Sequence, residues 1–144
     1  MCTSAALLLL ASGCGSTARP VRYEDLTRKV GPLEFTRITR DVFRGRSALR
    51  DVLARNNPGR PLRLPPIDFS RREVYLVAAG PRSSTGYDLR IVSLRDVGDQ
   101  LVVTVHERTP SLGDPVRTQV TYPFRLIAFP RSDKPVKLKW PGRP

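Results

Sequence analysis

The chain holds one histidine, two cysteines, one methionine and one tryptophan, and aromatic residues make up only 7% of it. With His106 as the only imidazole, a Ser/His or Cys/His mechanism would have to run through that single residue, and a zinc site has too few ligands to be credible. Acidic residues are sparse and scattered. Glu107 and Asp114 can be named as a carboxylate pair, but among 13 acids such a pairing has no specificity. These shortages predict a protein that is not an enzyme and carries no cofactor or metal. A hydrolase acting through His106 is the weakest reading the chain allows.

Nucleotide loops are also missing. Gly80 and Gly86 are separated by five residues, and Tyr87 follows where a phosphate-binding loop needs lysine. Ser84-Thr85-Gly86 is no nucleophile elbow, because Arg82 stands where that motif requires glycine. The segment Gly80 to Gly86 reads instead as a turn.

What is abundant is positive charge: 25 Lys and Arg against 13 Asp and Glu, a net of +12, with 21 of the basic residues being Arg. From Cys14 to Arg72 there are 14 basic and 6 acidic residues, and beyond Arg72 there are 11 and 7. The charge is therefore spread along the chain and forms no single basic tract. Such a field attracts anionic lipid and acidic envelope polymers and weakens with salt. Dispersed Arg with few aromatics does not resemble a base-stacking platform, so no nucleic-acid partner is expected.

Ala5 to Ala11 is a short uncharged apolar run, too short to span a bilayer, followed by Ser12, Gly13 and Cys14. The alternative, a core helix over Ala5 to Gly13 with a buried thiol, would lack any polar face. Ala11-Ser12-Gly13-Cys14 resembles a bacterial lipobox. That resemblance implies a signal peptide over 1–13, lipid attachment at Cys14, and a mature chain of 131 residues on the extracytoplasmic side of the cell membrane or outer membrane. Cys2 then leaves with the signal and Cys14 is alkylated, so no disulfide is expected.

The segment 14–32 reads as a tether, with room for one helical turn between Tyr23 and Val30. Leu33 and Phe35 alternate with Glu34 and Thr36, predicting a first strand over Leu33 to Arg40. Ser47 is a candidate N-cap for a helix through Leu49, Val52 and Leu53, stopped by Asn56 and Pro58. Pro58, Pro61, Pro65 and Pro66 predict an extended surface connector. Strands follow: Val74 to Ala79 as a central strand, Tyr87-Leu89-Ile91 in alternation, a Gly98-Asp99 hairpin, and Leu101 to Val105 returning with His106 outward. Val116 to Val120, Phe124 to Phe129 and the tail through Val136, Leu138 and Trp140 complete the set, with Pro123 at an edge, bulge or turn. The fold class is α+β, a mainly antiparallel β-sheet with one short helix, as a single domain over 33–144.

Ile67-Asp68-Phe69, Ala79-Gly80, Gly86-Tyr87 and Thr121-Tyr122-Pro123-Phe124, in that order, resemble the C-terminal domain of PrcB over roughly Asp68 to Pro130. PrcB is a lipoprotein of a surface protease complex. The resemblance implies a non-enzymatic accessory or stabilising subunit that binds a protein partner such as a protease, and it supplies no catalytic residues. For the motif residues themselves, fold maintenance is the first expectation, with Gly86 supplying a φ that other residues avoid. A partner-binding surface is expected around Arg82, Ser83, Ser84, Gly86 and Tyr87, with Tyr87 as an interface anchor. The competing reading is an electrostatic module that holds anionic lipid or acidic cell-wall polymer.

Overall fold

A computed structural model describes residues 17–142. The segment 1–13 read as a signal peptide, and Cys14, lie outside these residues. The elements in chain order are β1 (Arg19–Pro20), β2 (Glu24–Asp25), α1 (Thr27–Val30), β3 (Thr39–Phe43), α2 (Arg46–Arg55), β4 (Arg72–Ala78), β5 (Arg82–Ser84), β6 (Asp88–Val97), β7 (Gln100–Arg108), β8 (Thr118–Thr121), β9 (Phe124–Pro130) and β10 (Val136–Lys139). The fold is α+β and mainly antiparallel, as the patterning predicts; β10 on β7 is the one parallel pairing among these strands.

Two four-stranded sheets, ordered β2-β9-β4-β3 and β1-β6-β7-β10, stack face to face, and β5 and β8 form a separate two-stranded ribbon. The first sheet is covered on both faces, which explains why Val74 to Ala79 is apolar without interruption. Val74, Leu76, Ala78, Phe124, Leu126 and Ala128 point to a core shared with Leu49 and Leu53 of α2. Tyr75, Val77, Ile127 and Phe129 point the other way, onto Leu89, Ile91, Leu94, Leu101, Val103 and Val105 of the second sheet. Burial on this second face pushes the Tyr75 phenol up to about 12. The Gly98-Asp99 hairpin is present, with Val97 opposite Gln100. Gly98 has φ 64° while Asp99 does not enter the positive region, so glycine meets the first-position requirement of a type II′ turn.

Several local expectations are corrected. No strand covers 33–38; Leu33 and Phe35 are buried in alternation, yet the Glu34 amide donates to the Asn56 carbonyl (2.7 Å) at the end of α2. The period of two therefore reflects an extended plug laid across the helix end, and pairing starts only at Thr39. Ser47 does not cap α2. Gly45, extended at φ −153° and ψ 149°, holds the cap position, and Ser47 falls inside the first turn without a capping bond. Asn56 does close the helix, donating through Nδ2 to the Val52 carbonyl (2.8 Å). Leu26 and Val30 of the segment read as tether are buried in the core, because α1 sits beside β9 and the Leu26 amide reaches the Leu126 carbonyl (2.7 Å). The proline-rich connector forms no helix or strand, and Leu62, Leu64 and Ile67 pack on the core instead of merely crossing the surface.

Asp68 shows what its motif does locally. Its Oδ1 accepts from the Ser70 hydroxyl (2.5 Å) and amide (3.0 Å), and these bonds hold its carboxyl below the usual range. The Arg72 amide donates to the Asp68 carbonyl (2.9 Å), so the turn delivers the chain into β4.

Candidate functional site

β5 is almost wholly polar, Arg-Ser-Ser, and no hydrophobic alternation announces it. The segment read as a turn is a short strand because Arg82 and Ser84 pair with Thr121 and Thr118 across an irregular register. The ribbon is pinned to the sandwich by Arg82. Its guanidinium forms a fork with Glu107, through Nε and through Nη2 (3.0 Å), and Nη1 donates to the carbonyls of Ala79 (2.9 Å) and Pro81 (3.0 Å). The Tyr87 ring lies 6.0 Å from the same guanidinium carbon. Glu107 holds the Arg82 proton more firmly than usual. The one apparent partner for Glu107 in a carboxylate dyad, Asp114, instead accepts from the Ser111 amide (2.8 Å) and lies 3.5 Å from Arg108.

The other expected site residues divide by exposure. Ser83 is exposed and Tyr87 is half-buried. Ser84 is buried: its hydroxyl accepts from the Gly86 amide (3.3 Å), and its carbonyl accepts from the Thr121 hydroxyl (2.8 Å). Gly86 is also buried, and its requirement is space and not a special φ. A Cβ there would lie 2.6 Å from Pro110 Cβ and 2.6 Å from Val116 Cγ1. The expected positive φ is thus replaced by a close approach of the 109–117 loop over residue 86. Gly86→Ala is expected to cost about 1–2 kcal/mol, the lower part of the overpacking range, because Pro110 and Val116 sit on a loop that can give way. A urea titration checks this, and adding Val116→Ala should restore part of the loss.

Tyr87 is not isolated. It lines an open groove of about 400 Å³ together with Val120, Thr121, Tyr122, Pro123 and Leu33. Two of the motifs that carry the family resemblance, Gly86-Tyr87 and Thr121-Tyr122-Pro123-Phe124, are therefore brought to one surface. Pro123 turns the chain there: its carbonyl accepts from the Ala79 amide (2.9 Å), and Phe124 then enters the core against Phe35, with ring centroids 5.3 Å apart. Val120 keeps 58% of its surface exposed, an apolar side chain with nothing laid over it. Asp88 on the rim is neutralised by Arg125 Nη2 (3.0 Å to each carboxylate oxygen). From the sequence Tyr87 belongs to a recognition surface while Tyr122 and Pro123 read only as folding residues; the signal for a wider surface is Val120, apolar within an otherwise polar strand.

Elsewhere the polar chemistry is structural. His106 is exposed on β7, opposite Arg90 of β6. Among the described residues no three His, Cys, Asp or Glu side chains form a metal-binding group, and no helix is long and apolar enough to cross a membrane. Glu24 accepts from Lys29 Nζ (2.5 Å) and Arg72 Nη2 (2.9 Å), bonds that pull its carboxyl below its ordinary value. This links β2, α1 and β4.

Comparison with curated proteins and with solved structures gives no match. The family comparison does give one, and it begins at the central strand, so Ile67-Asp68-Phe69 precedes it. Over residues 74–130, from within β4 to the end of β9, the chain matches the family model described as PrcB C-terminal, the family that its motifs resemble.

Proposed function

We propose that this chain is a lipid-anchored accessory subunit of the cell envelope, held through Cys14, whose α+β domain docks a protein partner of the protease class in the groove between Tyr87 and Tyr122. The observation that carries the reading is the convergence of Tyr87, Val120, Tyr122 and Pro123 on one open groove of mixed lining inside the matched segment. The match to the PrcB C-terminal family supports an accessory role beside a protease. Partly exposed tyrosines beside apolar side chains supply large contact area at low entropic cost, as interface anchors do. The anchor keeps the groove on the extracytoplasmic side, where a surface protease would meet it.

The net charge of +12 gives the electrostatic reading its own support, and salt separates the two. The full chain, solubilised from envelope in uncharged detergent, is expected to retain one protein through a high-salt wash. Val120→Arg, a change at an exposed position, should reduce that retention by about tenfold or more, since it places an unpaired charge in the middle of the contact. Loss of every protein at high salt, with only anionic lipid or polymer held at low salt, would leave the charge itself as the function.

A further inference from the structure

The groove does not end at Pro32. On its far side a second opening of about 330 Å³ lies between the end of α1 and the proline-rich connector, and Pro32 and Arg60 line both. Four cations surround this cleft: Arg28, Lys29, Arg60 and Arg63. No Asp or Glu lines it. Lys29 is engaged by Glu24, whereas Arg28, Arg60 and Arg63 form no ion pair among the described residues. Other arginines are also without an ion pair, so what distinguishes the cleft is that three such guanidinium groups gather around one opening with no carboxylate in its lining.

The cleft is also built. Asn57 Nδ2 donates to the Arg60 carbonyl (2.5 Å), the Gly59 amide donates to the Asn57 carbonyl (2.8 Å), and Pro58 and Pro61 stiffen the chain on either side. The backbone that carries Arg60 and Arg63 is thus held before any ligand arrives, which lowers the ordering cost of binding. Like charges gathered around one opening repel, and an anion supplied from outside relieves that repulsion. Guanidinium forks match carboxylates in two-pronged geometry.

We propose that this cleft binds acidic side chains of the docked protein, so that the partner presents an extended segment with an aromatic or aliphatic residue in the groove and Asp or Glu beside it over Arg28, Arg60 and Arg63. The inference rests on the docking role of the groove and specifies the partner's chemistry. A peptide is favoured over a lipid headgroup or acidic polymer because the anion cleft borders, at Pro32 and Arg60, a groove whose Tyr87, Val120, Tyr122 and Pro123 side chains a bare polyanion would leave uncovered.

The test uses the full chain in uncharged detergent and a short fluorescent peptide carrying one Phe beside a run of Glu. Anisotropy should show binding that falls about tenfold or more when the Glu residues become Gln, and severalfold when Phe becomes Ser. In the protein, Arg60→Gln with Arg63→Gln should abolish the preference for Glu over Gln, with thermal unfolding unchanged. Equal binding of the Phe and Ser peptides, or full displacement by phosphatidylglycerol vesicles with no dependence on Phe, would overturn the proposal in favour of a general anion surface. Unchanged binding by the double Arg variant would overturn it outright. If the protein captured from envelope depends on Val120 but not on Arg60 and Arg63, the docking role stands and this inference alone falls; if it depends on neither, both fall.

Discussion

Phe35→Ala is expected to lower the unfolding free energy by about 3–5 kcal/mol, the range for deleting a large buried aromatic side chain. Phe35 is 1% exposed although it belongs to no helix or strand. Its ring meets Phe124 at an interplanar angle of 54°, a tilted arrangement of the kind aromatic pairs prefer. The stretch from Leu33 to Phe35 therefore acts as a plug over the first core, and its removal opens the face of β9 immediately beneath the groove. Urea unfolding gives the midpoint shift directly. The substitution should also weaken partner retention beyond what the unfolded fraction explains, because Leu33 and Phe124 both line the groove. A loss within about 0.5 kcal/mol, the level of ordinary surface substitutions, would mean that the plug is not seated as described.

Arg44→Ala is expected to cost about 2–3 kcal/mol, less than the full range for breaking a buried ion pair because Arg44 is partly in water. The partner, Glu73, has no exposed side-chain surface at all. Arg44 Nε donates to its Oε2 (2.9 Å), and the Ser132 hydroxyl donates to Oε1 (3.2 Å). Arg44 also donates through Nη2 to the Lys134 carbonyl (3.2 Å), so one guanidinium ties β3, β4 and the segment leading to β10. Truncation leaves a buried carboxylate with only a hydroxyl donor. Arg44→Ala combined with Glu73→Gln should recover much of the loss, since a neutral amide is cheaper to bury. A double-mutant cycle by urea titration measures the coupling. Additive effects would show that the two side chains are not in fact paired.

How far these features were legible in the sequence depends on how local their physics is. The run Val74 to Ala79 reads as a central strand because a sheet covered on both faces leaves no polar alternation, and Gly98-Asp99 reads as a hairpin because the turn chemistry is contained in two residues. Leu33 and Phe35 show the opposite case. Their alternation marks burial correctly, but periodicity cannot tell a strand bonded to a neighbour from an extended segment bonded to the end of a helix. Gly86 was singled out as a special position, yet the cause is the approach of Pro110 and Val116, residues more than twenty positions away whose proximity no local pattern encodes. Glu73 gave no signal, since a lone acid at the start of an apolar run looks like a strand boundary and not a buried half of an ion pair.

The same distinction applies to the candidate site. Tyr87 was legible as an exposed aromatic among polar residues, and Arg82 beside it looked equally available for recognition. In the fold Arg82 is committed to Glu107 and to two carbonyls, whereas Val120, Tyr122 and Pro123 complete the surface around Tyr87. Only the pairing of β5 with β8 brings these residues together, and β5 is too short and polar to be seen beforehand.

The proposed docking site for the protein partner is the groove between Tyr87 and Tyr122. Its most direct test is a photo-crosslinking residue placed at Val120 in the full chain, expressed in its own envelope, with the same residue at Val92 as the comparison. Val92 is similarly exposed, 53% against 58%, and stands at the bulge of β6, outside the groove. One discrete crosslinked protein is expected from position 120, surviving high salt and absent from position 92. Equal labelling from both positions, or crosslinks at position 120 to lipid alone, would contradict it.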